Sequence, residues 1–195
     1  AQDCSIPFVP AKFKARLAWQ SGKDGPTALA GPVVANMNPQ VDQIPEIIIA
    51  TTLGATGMNQ FTSDKIEIYR GDGSNANNPM VLTIPGRYDS YPVPGPTIGD
   101  IDKDGIPELL MSCMDRRIRV FHNYTENPAA PMSLWFTSSA TELLDWTDTR
   151  VSLADFDGDG VPEVYAGSDV FRFDFSNPGN PALIRVISGP NVRGR

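Results

Sequence analysis

The sequence predicts an all-β protein built from four-stranded antiparallel blades. Three observations point there. One loop pattern returns along the chain, strand-like alternation fills the intervals, and no segment carries an apolar stripe at helical spacing.

The loop pattern is the strongest of the three. Residues 155–163 read "DFDGDGVPE" and residues 100–108 read "DIDKDGIPE". Asp155, Asp157, Asp159 and Glu163 correspond to Asp100, Asp102, Asp104 and Glu108, while Gly160 and Pro162 correspond to Gly105 and Pro107. The flanks match as well, "RVSLADFDGDGVPEVYAG" against "GPTIGDIDKDGIPELLMS". A degenerate copy at 31–50, "GPVVANMNPQVDQIPEIIIA", keeps Ile-Pro-Glu. It puts Asn36 and Asn38 in place of the first two acids and holds two extra residues. The starts at Asn36, Asp100 and Asp155 lie 64 and 55 residues apart, a period that suits one blade of a β-propeller.

Periodicity places the elements. The leading segment 11–20 alternates, with Phe13, Ala15, Leu17 and Trp19 on one side and Lys12, Lys14, Arg16 and Ala18 on the other. It reads as an outer strand preceding the first repeat. After each acidic loop comes an almost wholly apolar run, "EIIIA", "ELLMS" or "EVYAG", as expected of strands covered on both faces. The runs "KIEIY", "RIRVF" and "VFRFDF" alternate again. Each unit is therefore strand, acidic loop, doubly buried strand and two alternating strands. In the middle unit the strands fall at about 95–101, 108–113, 117–123 and 133–138. The blades are expected at about 31–86, 95–138 and 150–188. Complete propellers have about 4–8 blades, so the expectation is part of a larger propeller. The expected parent is a longer surface protein.

Composition excludes several functions. The 195 residues carry a formal net charge of −7 with no Lys/Arg cluster, a poor surface for nucleic acid or anionic membrane. No apolar run approaches the roughly 20 residues of a membrane helix, so no membrane insertion is expected. The start "AQDCSIP" resembles what removal of a secretory signal peptide leaves, and an extracellular location is expected. The two cysteines, Cys4 and Cys113, make no disulfide framework. Cys113 reads as a small buried hydrophobe, with a Cys4–Cys113 bond as the alternative.

The acidic loops carry the chemistry. Carboxylates at positions 1, 3 and 5 of a tight turn can point at one cation, and Gly at position 6 tolerates the sharp bend. Position 7, Ile106 or Val161, offers a backbone carbonyl, and position 9, Glu108 or Glu163, closes the shell. All donors are hard oxygens, with no His or Cys among them, which selects Ca²⁺ over zinc or copper. Two ions would take the net charge from −7 to −3. An EF-hand does not fit. It needs a bidentate Glu at position 12, where these loops have Met111 and Ala166, and it needs flanking helices. The 36–46 copy, with Asp42 and Glu46 as its only acids, is expected to hold no ion or a weak one.

A D-x-D-x-D-G-x-P-E loop between two strands, repeated at blade spacing, resembles the FG-GAP/VCBS calcium-binding propeller repeats of integrin α-subunits and secreted bacterial proteins. The form is closer to the bacterial branch. The resemblance covers about 31–188 and is strong at the two complete loops. It implies a structural calcium on the face opposite the ligand surface, and a leading strand, here 11–20, that closes the ring. The implied ligands are Asp100, Asp102, Asp104, the Ile106 carbonyl and Glu108, then Asp155, Asp157, Asp159, the Val161 carbonyl and Glu163.

No Ser/His/Asp arrangement, phosphate loop or zinc spacing occurs, so nothing supports a catalytic role. His122, the one histidine, reads as a packed or surface residue. Arg70-Gly71-Asp72 reads as a turn between the third and fourth strands of a blade rather than as an integrin ligand. Asn123-Tyr124-Thr125 has the form of a glycosylation sequon, read here as chance. The expected function is a calcium-stabilised binding or adhesion module at the cell surface, with a protein or carbohydrate ligand and the rest of its own propeller as partners. Its ligand face would include Met58, Tyr88, Tyr91, Arg116, Trp146 and Arg150. The alternative is an accessory propeller domain of a secreted polysaccharide-degrading enzyme.

Overall fold

The structure, a computed structural model, describes residues 16–21, 31–51, 65–84, 95–113, 115–139, 150–177 and 179–188. These hold twelve strands and no helix. The first sheet is β1 (Val33–Ala35), β2 (Glu46–Thr51), β3 (Lys65–Arg70) and β4 (Met80–Thr83). The middle sheet is β5 (Thr97–Gly99), β6 (Glu108–Cys113), β7 (Arg117–His122) and β8 (Ser133–Thr137). The third is β9 (Val151–Ala154), β10 (Glu163–Ala166), β11 (Asp169–Asp174) and β12 (Ala182–Ser188). Each sheet runs in chain order, and every pairing is antiparallel. The expected all-β fold of three four-stranded blades is therefore what forms, and among the described residues the three sheets do not close into a ring.

The repeats fold alike down to irregularities. The third and fourth strands of both the middle and the third blade shift register at the same place, between Val120 and Phe121 and between Val170 and Phe171. A bulge there bends the outer strand and adds twist.

Alternation along the middle sheet builds two cores. Leu109, Met111, Cys113 and Phe121 pack with Ile48, Ile66, Ile68 and Leu82 of the first sheet. Leu110, Ile118 and Val120 point the other way, onto Val164, Phe171 and Phe173 of the third. Fully burying side chains of this size contributes roughly 1.5–3 kcal/mol each. All six residues of β6 are buried, as its unbroken apolar run demands. The matching strands β2 and β10 depart from that expectation. Ile47 and Ile49 are half-buried, and Tyr165 is 42% exposed. The cause is position: only the middle sheet has a described sheet on both faces.

The inner strands β1, β5 and β9 are neighbours. Thr97 donates its hydroxyl to the Val151 carbonyl, and Gly99 lies against the Leu153 side chain. Outside them an aromatic stack crosses from blade to blade. His122 lies flat on Trp135 at 4.7 Å, and Trp135 stacks on Phe175 at 5.4 Å.

Of the leading strand expected at 11–20, residues 11–15 lie outside the described residues, and 16–20 carry no strand. Trp19 instead packs on the first blade. Its indole N–H donates to the Gly71 carbonyl at 3.0 Å, and its ring stacks on Tyr69. Among the described residues no helix is long and apolar enough to cross a membrane.

Candidate metal centre

The two complete acidic loops share one backbone. Each joins the first strand of its blade to the second, and each turns left-handed at positions 4 and 6. The φ angles are 65° at Lys103 and 86° at Gly105, against 76° at Gly158 and 82° at Gly160. Glycine suits such angles, whereas Lys103 adopts one at a steric cost.

Side chains hold that backbone in place. The position-1 carboxylate accepts the position-6 N–H, at 3.0 Å for Asp100–Gly105 and 2.9 Å for Asp155–Gly160. Asp102 and Asp157 each accept the N–H two residues on at 3.1 Å. Asp104 and Asp159 accept from Ile106 and Val161, both at 2.7 Å. These turns are the local structure that aspartate favours. The glutamates close the loops from below. Glu108, 1% exposed, accepts the Ile101 N–H at 2.9 Å. Glu163, 2% exposed, accepts that of Phe156 at 2.8 Å.

This frame brings three of the expected ligands together in each loop. Asp100, Asp102 and Glu108 each place a carboxylate oxygen so that all lie within 4.8 Å of one another, and so do Asp155, Asp157 and Glu163. Oxygens that share one calcium at about 2.3–2.6 Å can be no more than about 5 Å apart, so both groups fit the ion. Asp100 Oδ1 is buried without a hydrogen-bond partner, a vacancy in bonding that a cation satisfies. Asp104 and Asp159 do not join the groups. Each has one oxygen engaged with its own loop. Ile106 and Val161 are half-buried beside them.

Electrostatics record the crowding in the middle loop. Burial pushes the Glu108 carboxyl up to about 8, with Asp102, Asp104 and Asp100 adding like-charge repulsion, against the lowering effect of the Ile101 N–H. Burial likewise raises Asp102, with Asp104 and Asp100 acting in the same direction.

The third loop has a cation of its own. The Arg172 guanidinium donates to Glu163 Oε1 at 3.1 Å through Nη2 and at 3.3 Å through Nε, and it also bridges to Asp157. The antiparallel register explains the meeting. Val164 faces Phe171, so Glu163, one step on, faces Arg172. In the first blade Glu46 faces Arg70, which reaches Asp42 at 2.6 Å and bridges to Glu126 as well. In the middle blade Leu109 faces Phe121, so the residue facing Glu108 is His122. Its ring is held on Trp135, and its hydrogen bond goes to Asn123.

The degenerate loop keeps the frame without the ligands. Asn36 accepts the Asn38 N–H, Asp42 accepts that of Ile44, and Glu46 accepts that of Met37 at 2.7 Å. Its two extra residues form a turn in which the Asn38 carbonyl accepts from Val41 and Asp42. Glu46 thus has a backbone partner, Met37, that requires no metal.

Residues 100–166 match the model of the FG-GAP-like repeat. The match runs from the first aspartate of the middle loop to the end of β10, so it takes in both complete loops. It agrees with the FG-GAP/VCBS resemblance of the loops themselves. No curated protein matches the chain.

Of the expected ligand face, Arg116 and Arg150 are exposed. Arg116 is in the β6–β7 turn and Arg150 directly precedes β9, so the topology puts both at the end of the middle and third blades away from the acidic loops. Met58, Tyr88, Tyr91 and Trp146 lie outside the described residues. So does Cys4, while Cys113 is buried. Arg70-Gly71-Asp72 does lie between β3 and β4, and the Arg70 side chain, 14% exposed, is committed to Asp42, Asp72 and Glu126.

Sequence reasoning missed Arg70, His122 and Arg172 as members of the site. It also missed Lys103, which links neighbouring loops by donating to the Asp159 carbonyl at 3.1 Å. The strand-end positions of Arg70 and His122 were the available signal.

Proposed function

We propose that the chain is part of a calcium-stabilised β-propeller that serves outside the cell as a binding or adhesion module rather than as an enzyme. The observation that carries this is the convergence of three carboxylates in each of two loops built on one hydrogen-bond frame. Calcium there supplies positive charge that offsets the repulsion and ties the first strand of a blade to the second. Asp100, Asp102 and Glu108 hold one ion; Asp155, Asp157 and Glu163 hold the other. Asp104, Asp159 and the carbonyls of Ile106 and Val161 complete the shells. The loop aspartates fix the turn, and the glutamates anchor it to β6 and β10.

The acidic face then has a structural duty, which leaves the opposite face for a ligand. A rigid scaffold that presents exposed arginines, with aromatic residues expected nearby, suits a protein or carbohydrate partner at the cell surface. The test has two arms. Melting curves in calcium and in chelator should differ by several degrees, with calcium higher. Immobilised protein, screened against glycans and cell-surface proteins in calcium, should capture a ligand that Arg116→Ala with Arg150→Ala releases and Asp157→Ala retains. Identical melting curves would overturn the calcium reading. Capture that survives the double arginine change but fails with Asp157→Ala would put the ligand on the wrong face.

A further inference from the structure

Three blades carry the same glutamate, and each meets a different residue across the ladder: Arg70, His122 or Arg172. The difference has electrostatic consequences. A guanidinium is always charged and delivers several donors in one plane, so it can stand where a cation would. In the first blade Arg70 does so permanently. It is largely buried, and Asp42, Asp72 and Glu126 surround it. In the third blade Arg172 sits on Asp157 and Glu163, two of the three residues that converge there. Its side chain is 42% exposed, so water can receive it if it leaves. In the middle blade no chain cation contacts Asp100, Asp102 or Glu108 among the described residues, and Asp100 Oδ1 is left without a partner.

Resting on the calcium reading above, we propose that the residue facing the loop glutamate ranks the three blades as cation sites. Arg70 replaces the ion in the first blade. His122 leaves the middle loop open, so it fills first. Arg172 is a built-in counter-ion of the third loop, and calcium must displace it, so that loop fills only at higher calcium. The chain thus has one constitutive site and one that responds to calcium concentration. Arg172 is a positioning residue in this scheme, since it acts through the carboxylates and binds no ligand.

The test is calorimetric titration of the chelator-stripped full chain with calcium chloride. The unaltered protein should show two events of unequal affinity. Asp102→Asn should remove the tight one and Asp157→Asn the weak one. Arg172→Gln should tighten the weak event by about tenfold or more, because one repelling charge beside a divalent ion is gone, and leave the tight event alone. His122→Arg should weaken the tight event by a similar factor. Melting supplies a readout that a merely packing role would not give. Arg172→Gln should melt lower than the parent in chelator, yet match or exceed it in saturating calcium. Two events of equal affinity, or a weak event unmoved by Arg172→Gln, overturn the ranking and leave the calcium reading standing. No uptake at millimolar calcium overturns both. If Arg172→Gln does not fold, His122→Arg decides alone: an unchanged tight event overturns the proposal.

Discussion

The middle and third blades share a loop, a bulge and a strand plan, yet they differ in what surrounds them. The middle sheet is covered on both faces, and among the described residues no arginine contacts its loop carboxylates. The third sheet has Tyr165 and the β12 residues Ile184, Val186 and Ile187 exposed, and its loop is partly neutralised by Arg172. The same repeat thus gives a buried structural unit in one setting and a more open, internally compensated one in the other. What a repeat encodes is the frame. Its neighbours and one cross-strand residue decide how tightly the frame is packed and how much charge it holds uncompensated.

The largest effect should separate the two faces. Leu110, fully buried between the middle and third sheets, should lose about 2–5 kcal/mol as Leu110→Ala through lost burial and a residual cavity. Tyr165→Ala, on the exposed face of the third sheet, should lose far less, about 1 kcal/mol or below. Urea unfolding midpoints of the two variants check this, and equal losses would mean the third sheet is covered as fully as the middle one.

Next come the glutamates. Glu108→Gln removes a converging charge and should abolish or strongly weaken calcium binding by the middle loop. Glu46→Gln keeps an oxygen for the Met37 N–H, so it should cost about 1 kcal/mol or less and leave the calcium stoichiometry unchanged. Titration of both variants, with melting in chelator, makes the comparison. A calcium loss in Glu46→Gln would show that the first loop holds an ion after all.

Lys103→Gly is expected to do least. It relieves a left-handed residue, but it adds unfolded-chain freedom and removes the exposed bond to Asp159. The net change should stay within about 0.5 kcal/mol by thermal or urea melting. A larger loss would mean that the link between adjacent loops matters to blade docking.

Much of this was legible in the chain. The repeat gave the blades because matching loops at matching intervals require matching strands, and the wholly apolar "ELLMS" run announced a strand buried on both faces. The site was legible in part. Position numbering along the loop picked out Asp100, Asp102 and Glu108, whose oxygens the fold gathers, but gave no sign that Asp104 would also secure the Ile106 N–H. The residues facing the glutamates were hidden by hairpin length. Arg70, His122 and Arg172 follow their glutamates by 24, 14 and 9 residues, because the connections between second and third strands differ in length. Register is set by the turn, so equivalent positions appear at unequal spacings and become visible only once the strands are paired. Residues 16–20 alternate like a strand in the sequence, while the Trp19 ring stacks on Tyr69 and its indole N–H reaches the Gly71 carbonyl.

Two of the three loops are expected to be cation sites, and the first is not. Native mass spectrometry of the chain, equilibrated in calcium and measured beside Asp102→Ala and Asp157→Ala, tests it most directly. The parent chain should carry two calcium ions and each variant one. A parent chain that carries none, or variants that still carry two, would contradict it.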